Sequence, residues 1–586
     1  MTAFSRDLPF GATLLAPDRT RFRLWAPGQQ EVAVEVEGGG GKQRLPMRRG
    51  ADGWFETEAA CGAGTLYRYR LGDGLLVPDP ASRAQVPDVH DPSLVVDPRA
   101  YRWRHPNWRG RPWRETVLYE LHAGCLGGFA GVQAMLPSLY ELGITAVELM
   151  PVNDFPGKRN WGYDGVLPFA PDAAYGTPDA LKALVDAAHE LGLMIFLDVV
   201  YNHFGPDGNY LASYAPDFFR TDLQTPWGVA IDFRRPEVRR FFTENALYWL
   251  MEYRFDGLRF DAVHAIPEPD WLDEMAAEVR RTVEPGRHVH LVLEHDGNRA
   301  EHLVRGFDAQ WNDDAHHVLH AMLTGETDGY YADYADRPAE RLARALAEGF
   351  VYQGEPSTYR KGERRGTPSA HLPPTSFVLF LQNHDQIGNR PFGDRMTERA
   401  DPVALEAAIA LQLLSPQIPL IFMGEEEASR TPFLFFTDHH GELADAVREG
   451  RRREFAGFDG FRAGETAAAI PDPNDPATFE RSRPRADDPG RRAFYRKLLG
   501  LRATAITPHL GGAHSLGAAA VGPAAIVARW RLANGAVLSL ASSLAAGTCR
   551  IDPLQGDLLF ESRTGAGDQV WAGTLEGPAT VALLAA

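Results

Sequence analysis

Three apolar segments, TVLYELHAG (116–124), ITAVELMPV (144–152) and LMIFLDVVYNH (193–203), are separated by two stretches whose apolar residues have helical spacing. Each apolar segment is short and is bounded by Gly, Pro or polar residues, which is typical of a buried strand. Strands that alternate with amphipathic helices predict a parallel sheet with helices packed against it. This alternation decides the fold of the central part of the chain.

The same alternation continues towards the C-terminus. Five further apolar runs of strand character are centred near Leu258, Leu291, Phe307, Val378 and Leu420. Eight strand and helix units in succession favour a closed (β/α)8 TIM barrel over an open sheet. We place the barrel at residues 115–507, with a long excursion after the third strand at residues 201–236. A loop of that length inside a compact domain is usually functional.

Short runs of alternating apolar and polar residues flank the barrel on both sides. FRLWAP (22–27) and EVAVEVEG (31–38) precede it, and AAIVARWRL (524–532) follows it. Such runs, separated by turn residues, are typical of β-sandwiches. The fold class is therefore predicted to be multidomain α/β, with a central barrel between two all-β domains. The predicted parts are an immunoglobulin-like β-sandwich over 1–97, a linker over 98–114, the barrel, and a C-terminal β-sandwich over 508–586.

Composition excludes several classes of protein. The chain has 586 residues and a net charge of −18, which disfavours nucleic acid or an anionic membrane as partner, because both need a basic surface. Its three cysteines, Cys61, Cys125 and Cys549, are widely spaced and encode neither a disulfide framework nor a zinc site. Neither a signal peptide nor an apolar run long enough for a membrane span is evident. We expect a soluble, cytoplasmic protein with a neutral substrate.

Three acidic residues follow three of the predicted strands: Asp261 in GLRFDAVH, Glu294 in HLVLEH and Asp385 in FLQNHD. The C-terminal ends of parallel barrel strands meet at one face, so these carboxylates can converge although they are distant in sequence. Cleavage of a glycosidic bond needs one carboxylic acid to protonate the leaving oxygen and one carboxylate to attack carbon or to activate water. The pattern therefore predicts a glycosidase.

Neighbouring residues suggest different roles for two of these acids. Arg259 lies two residues before Asp261 and so projects from the same face of the strand, where its charge would keep Asp261 ionised and fit for attack. A purely structural ion pair is the alternative. Glu294 ends an apolar run beside Asp296, so desolvation and a second carboxylate would raise its pKa, as a general acid near neutral pH requires.

The third acid and the rim of the barrel supply further candidates. Asp385 could hold sugar hydroxyls and favour an oxocarbenium-like transition state, with His384 and Gln386 beside it. Trp227 in the excursion could stack on a sugar, and Asp313 after the sixth strand faces the same rim. A strand-end carboxylate that caps the next turn, and a loop aromatic without a ligand, are the alternatives.

Metal sites were weighed on two features. His290 to His295 spells H-x-x-x-E-H, which is one residue longer than the zinc motif and lies on a strand rather than a helix. Asp198 and Asn202 at the end of the third strand could hold calcium, but no Asp-rich calcium loop is present. We expect Asp198 to form hydrogen bonds at the strand end, and we predict neither a metal nor a cofactor.

Four segments resemble, in order, the conserved regions of glycoside hydrolase family 13, the α-amylase family: DVVYNH (198–203), GLRFDAVH (257–264), the strand ending in Glu294, and QNHD (382–385). The resemblance implies a retaining enzyme with Asp261 as nucleophile, Glu294 as proton donor and Asp385 as transition-state stabiliser. The Asp261 and Glu294 carboxyl groups should then lie roughly 5 to 5.5 Å apart. By the same resemblance, the residues around the cleaved sugar are Tyr163 of NWGYDG, His203, Arg259 and His384.

Two longer segments, ELMPVNDFPGKRNWGYDG (148–165) and TPFLFFTDHHGELADAVREGRRREF (431–455), resemble the members of this family that release trehalose. This resemblance implies hydrolysis of the α-1,4 bond next to the terminal trehalose of maltooligosyltrehalose, and a functional partner in the synthase that makes this substrate. His264-Ala265 stands where many amylases carry Lys-His, so an amylase-like leaving-group subsite is in doubt, with His264 as a candidate binding residue.

Two other functions remain open on the sequence. A 1,4-α-glucan branching enzyme has the same carboxylates and an N-terminal β-sandwich, but transfers the glycosyl group to a sugar hydroxyl. The segment 431–455 favours the trehalose-releasing group over it. A non-catalytic sugar-binding relative is expected to have lost at least one carboxylate, whereas this chain has all three.

Overall fold

The computed structural model describes residues 4–38, 41–455 and 469–586. Eight strands close into a barrel in sequence order, and each pairs in parallel with its neighbours. The barrel strands, first to eighth, are Leu118–Leu121, Ala146–Leu149, Met194–Val199, Gly257–Phe260, His290–Leu293, Ala309–Trp311, Phe377–Phe380 and Ile418–Phe422. The predicted fold class, a TIM barrel flanked by β-rich parts, is confirmed.

Amphipathic helices cover the outside of the barrel. In Pro178–Glu190, Thr177 caps the first turn by accepting from the Ala180 amide at 3.1 Å, and Pro178 occupies the first turn, where it leaves no hydrogen bond unmade. The longer helices are Gly128–Leu142, Pro178–Glu190, Pro236–Met251, Asp270–Thr282, Asp313–Thr324, Pro338–Glu348, Pro402–Leu414, Gly441–Phe455 and Pro489–Leu501. The short helices are Leu211–Tyr214, Ala332–Ala335, His384–Gly388, Met396–Arg399, Pro476–Arg481 and Ala566–Trp571.

The barrel interior has an apolar layer below a charged layer. Leu118, Met194 and Phe196 pack in the lower layer, and a Cβ at Gly257 would lie 2.1 Å from the Phe196 ring, so only glycine leaves room for that ring. Because alternate residues of a strand share a face, the residues two positions further along point into the same interior nearer the C-terminal end. In four strands these are the buried polar residues Glu120, Glu148, Asp198 and Arg259.

The N-terminal part contains two antiparallel sheets and supports the excursion after the third barrel strand. The Gly28 amide donates to the Tyr214 carbonyl at 3.0 Å, and the Trp25 and Phe218 rings lie 5.7 Å apart. One sheet is formed by Gly11–Ala16, Arg19–Trp25, Trp54–Ala59 and Arg48–Arg49 in that order. The other is formed by Gly41–Pro46, Val32–Gly38, Leu66–Leu71 and Leu76–Val77, with Ser93–Leu94 paired to Leu66–Leu71.

The excursion carries an antiparallel hairpin of Phe219–Thr225 and Gly228–Ile231. Two further pairs of short strands join Asn153–Asp154 to Leu167–Pro171 and Glu355–Pro356 to Arg364–Arg365. Within the described ranges, no helix combines the length and the apolar composition that a membrane crossing requires.

The C-terminal part differs from the sandwich that the sequence predicts. In the described residues it is one five-stranded sheet, in the order His514–Gly522, Ala525–Arg531, Val537–Arg550, Thr574–Ala585 and Asp557–Glu561. The sheet meets the barrel helix Pro402–Leu414, where the Thr580 hydroxyl donates to the Ala407 carbonyl at 2.7 Å, and Val570 of Ala566–Trp571 packs on the opposite face. Helices rather than a second sheet cover the faces of this sheet. Alternation of apolar and polar residues along a strand shows that one face is buried, but it does not show whether a helix or a second sheet buries it.

Candidate active site

A cavity of about 890 Å³ opens where the third to seventh barrel strands end. That volume is in the range of sites that enclose a small molecule. Asp261, Glu294 and Asp385 all line it, as do eight of the nine predicted binding residues, Tyr163, His203, Trp227, Arg259, His264, Asp313, His384 and Gln386. Asp198, the ninth, does not line the cavity.

Arg259 connects the carboxylates. Its Nη1 donates to Asp261 Oδ1 at 2.9 Å and to Asp198 Oδ2 at 2.6 Å, while Nη2 donates to Glu294 Oε2 at 2.6 Å. Its guanidinium carbon lies 4.3 Å from the centre of the buried Trp311 ring, and the side chain is 1% exposed. One rigid cation therefore fixes three acids, Asp198 in the third strand, Asp261 after the fourth and Glu294 after the fifth.

The sequence predicts a raised pKa for Glu294 and an ionised Asp261, but in the structure the two pKa values are shifted in the opposite directions. Burial and the negative charge of Glu294 raise the pKa of Asp261 well above its usual value, although Arg259 opposes this. Burial also acts to raise the pKa of Glu294, but Arg259 and the Ala262 amide, which donates to Glu294 Oε2 at 2.9 Å, hold it below its usual value. Of the two carboxyls, Asp261 is therefore the one that binds a proton more readily, because Arg259 and a backbone donor both bind Glu294.

Asp198 lies behind the cavity and supports two residues that line it. Its Oδ2 accepts from Arg259 and from the Tyr163 hydroxyl, each at 2.6 Å. Tyr163 in turn lies 2.8 Å from His384 Nε2 and stacks on the His384 ring, with centroids 5.1 Å apart and planes at 22°. Asp198 therefore positions an arginine and an aromatic ring and does not itself face a ligand.

Asp385 lies in the short helix His384–Gly388, directly after the seventh strand. The Asn383 side chain caps this helix by accepting from the Gln386 amide at 2.8 Å. The Asn389 side chain, one turn further, donates to Asp385 Oδ1 and accepts from Arg451 Nη1 at 3.2 Å. Burial raises the pKa of Asp385 and the charge of Glu294 adds to this, whereas His384 acts to lower it.

His203 and Trp227 form a stacked pair on one wall, with ring centres 5.2 Å apart and planes at 11°. His203 Nε2 lies 2.9 Å from the Tyr163 carbonyl, and burial lowers the pKa of His203 to about 4, so the ring is neutral near pH 7. Trp227 is 45% exposed and belongs to the hairpin of the excursion. An exposed indole over a cavity offers an apolar face to a sugar ring.

His264 and Asp313 also line the cavity. The Asp296 amide donates to His264 Nδ1 at 3.4 Å. Asp313 begins the helix Asp313–Thr324, and burial together with the charges of Glu294 and Asp296 raises its pKa well above its usual value.

Sequence reasoning missed several residues of this site. Glu120, at the end of the first strand, binds His384 through both carboxylate oxygens. The signal that identified Asp261 was an acid at the end of an apolar run, and a broader one, an acid inside such a run, would have found Glu120. A group of tyrosines in a segment without strand pattern also lines the cavity: Tyr330, Tyr331, Tyr334 and Tyr359. Only the local frequency of tyrosine marks that segment in the sequence.

Comparisons with known proteins identify relatives of this chain. A family model described as the catalytic domain of alpha amylase matches residues 107–217, and a model described as a domain of unknown function matches 513–584. The malto-oligosyltrehalose trehalohydrolase of Deinococcus radiodurans is 44% identical over 79% of this chain and 76% of its own length. A crystal structure of a Salmonella typhimurium protein provisionally designated an alpha amylase superposes with a TM-score of 0.92 at 44% identity, covering 99% of this chain and 100% of that one.

The alternative enzyme class is less well supported. The 1,4-alpha-glucan branching enzyme of Burkholderia thailandensis is 34% identical, but the match covers 42% of this chain and 33% of that protein. The similarity to the trehalohydrolase instead extends over most of both chains. The chain is a glycoside hydrolase and belongs to the malto-oligosyltrehalose trehalohydrolase family.

Proposed function

We propose that this protein hydrolyses the α-1,4 bond next to the terminal trehalose of maltooligosyltrehalose, and so releases α,α-trehalose and a maltooligosaccharide. The observation that supports this most is one cavity lined by three carboxylates, two of which bind the same guanidinium. The family supplies the substrate, since its named member from Deinococcus radiodurans is similar over most of its length. The enzyme that makes this substrate, a maltooligosyltrehalose synthase, would then be its functional partner.

The reaction would proceed with retention in two steps. Glu294 protonates the glycosidic oxygen while Asp261 attacks the anomeric carbon, which breaks the bond to trehalose and forms a glycosyl ester on Asp261. Glu294, now ionised, takes a proton from water, and the water oxygen attacks the same carbon and releases Asp261. Asp385 would hold sugar hydroxyls, with Tyr163 as the platform beneath the ring.

Before the first step, Glu294 must be protonated and Asp261 ionised, whereas their surroundings raise the pKa of Asp261 and lower that of Glu294. Arg259 binds both groups, so a small shift of its guanidinium towards Asp261 lowers the pKa of Asp261 and raises that of Glu294. We propose that entry of the sugar separates Glu294 from Arg259 and transfers the proton to Glu294.

Product analysis tests this function. Incubation with maltotriosyltrehalose is expected to yield trehalose and maltotriose in equal amounts, while maltopentaose of the same length is cut much more slowly. Chromatography of timed samples measures both rates. Equal rates on the two substrates would contradict trehalose recognition, and longer branched products would indicate the branching enzyme.

Replacement of Trp227 by Ala is expected to raise KM for maltotriosyltrehalose about 2- to 12-fold with little change in kcat, because aromatic contacts of this kind contribute ~0.5–1.5 kcal/mol. Steady-state kinetics measure the effect. Trp571→Ala is the matched control, since Trp571 is 41% exposed but lies in the C-terminal helix Ala566–Trp571, away from the cavity. An unchanged KM in the Trp227 variant would remove that side chain from the binding site.

A further inference from the structure

Glu120 binds His384 at two points. Its Oε2 accepts from the His384 backbone amide at 3.0 Å, and its Oε1 is hydrogen-bonded to His384 Nδ1. Glu120 is 1% exposed and His384 is 2% exposed, so this pair is shielded from water. A carboxylate that accepts a backbone amide and a ring nitrogen at once fixes both the position and the rotation of the imidazole.

The hydrogen bonds of Tyr163, which faces His384 Nε2, indicate which nitrogens of the His384 ring carry protons. The Tyr163 hydroxyl has one proton, and it lies 2.6 Å from Asp198 Oδ2, an oxygen that already accepts from Arg259. Tyr163 therefore donates to Asp198, and its oxygen accepts the Nε2 proton of His384 at 2.8 Å. With Nε2 protonated, an ionised Glu120 requires a proton on Nδ1 as well.

We propose that Glu120 is a positioning residue that holds His384 as a doubly protonated imidazolium beneath the sugar site. The imidazolium then favours the ionised form of the adjacent Asp385 and sets the plane of Tyr163, which stacks on it. This inference rests on the proposed function, because it describes the site in which the glycosyl group would be held.

The charges around His384 support this state. Burial acts to lower the pKa of His384, but Glu120 and Asp385 outweigh it, and the pKa lies above its usual value although Arg259 opposes them. Among the described residues, the further titratable groups that interact with the ring include Asp198 in the third strand, Glu294 after the fifth, and His122 after the first, whose own pKa burial lowers to about 4. His122 is therefore neutral near pH 7.

The pH dependence of Glu120→Gln tests the proposal. Glutamine keeps the size but removes the charge and one acceptor, so the pKa of His384 falls and the ring loses its second proton at lower pH. We expect kcat to fall on the order of 10²-fold with KM nearly unchanged, and the alkaline limb of the kcat/KM profile to move down by roughly one pH unit. An alkaline limb that stays in place, or that moves up because it reports Glu294 alone, would overturn the proposal.

Glu148→Gln is the matched control. Glu148 is a buried acid on the neighbouring second strand. Burial raises its pKa well above its usual value, the charges of Glu120 and Asp198 add to this, and neither of its carboxylate oxygens is hydrogen-bonded in the described structure. Its replacement should leave the alkaline limb in place. A downward shift equal to that of Glu120→Gln would assign the effect to general disturbance of the barrel and overturn the proposal.

A double-mutant comparison gives a second readout. If Glu120 acts through His384, then Glu120→Gln adds little further loss of kcat in a His384→Asn background, whereas full additivity contradicts the proposal. If Glu120→Gln does not fold, Glu120→Asp can be used instead, because the shorter side chain keeps the charge but places it farther from His384. This variant should shift the alkaline limb down by a smaller amount, and an unshifted limb would again overturn the proposal. The pH profile of kcat/KM can be recorded on any α-glucan that the wild type cleaves, so this test does not depend on trehalose release. Absence of trehalose from the wild-type products would instead contradict the proposed function.

Discussion

Replacement of Asp261 by Asn or of Glu294 by Gln is expected to reduce hydrolysis of maltotriosyltrehalose by at least about 10³-fold, with the fold retained. Asparagine has the size of aspartate but cannot form the glycosyl ester, and glutamine cannot protonate the leaving oxygen. The fold should be retained because both substitutes match the size of the original side chains and can still accept a hydrogen bond from Arg259.

The two variants should differ on an activated substrate. An α-glucosyl fluoride needs little protonation of its leaving group, so Glu294→Gln should form the glycosyl ester from it, while Asp261→Asn should not. Single-turnover release of fluoride, with mass spectrometry of the trapped ester, measures the difference. Retention of near-normal turnover on maltotriosyltrehalose by either variant would remove that residue from the catalytic pair.

The fold was predictable from the sequence because burial on both faces of the barrel strands leaves short apolar runs, and because turn residues separate them from helical patterns. The carboxylates were predictable for a related reason: an acid such as Asp261 that ends an apolar run conflicts with its surroundings unless it has a function. The same conflict exists at Glu120, but this acid lies inside the run LYEL rather than at its end, so only a rule extended to acids within apolar runs would have found it.

Other features depend on contacts that the sequence does not contain. Asp198 has the pattern of a cavity residue, yet it lies behind Tyr163 because that side chain comes from a loop about 35 residues away. The pKa order of Asp261 and Glu294 depends on which carboxylate the second guanidinium nitrogen and the Ala262 amide bind, and neither contact follows from strand spacing. The single C-terminal sheet likewise depends on the helix Pro402–Leu414, which covers one of its faces.

Arg259→Met is expected to destabilise the protein by about 3–5 kcal/mol and to abolish hydrolysis, because it removes the cation from a buried group of three carboxyls. The penalty should depend on pH. Burial already raises the pKa of Asp198 and of Asp261, and both rise further without Arg259, so the folded state binds more protons than the unfolded state. Stability of the variant is then greatest below the unfolded pKa, near 4, and falls as the pH rises towards the folded values.

Thermal unfolding at pH 5 and pH 8 measures this dependence, and the difference between wild type and Arg259→Met should be larger at pH 8. Arg305→Met is the matched control: Arg305 is 60% exposed and pairs with Asp273 at 3.0 Å, so its loss should cost no more than about 1 kcal/mol at either pH. A penalty in Arg259→Met that is the same at both pH values would show that the methionine disturbs packing against Trp311 rather than the balance of charge. A penalty as small as that of Arg305→Met would mean that Arg259 does not compensate the charge of the buried carboxyls.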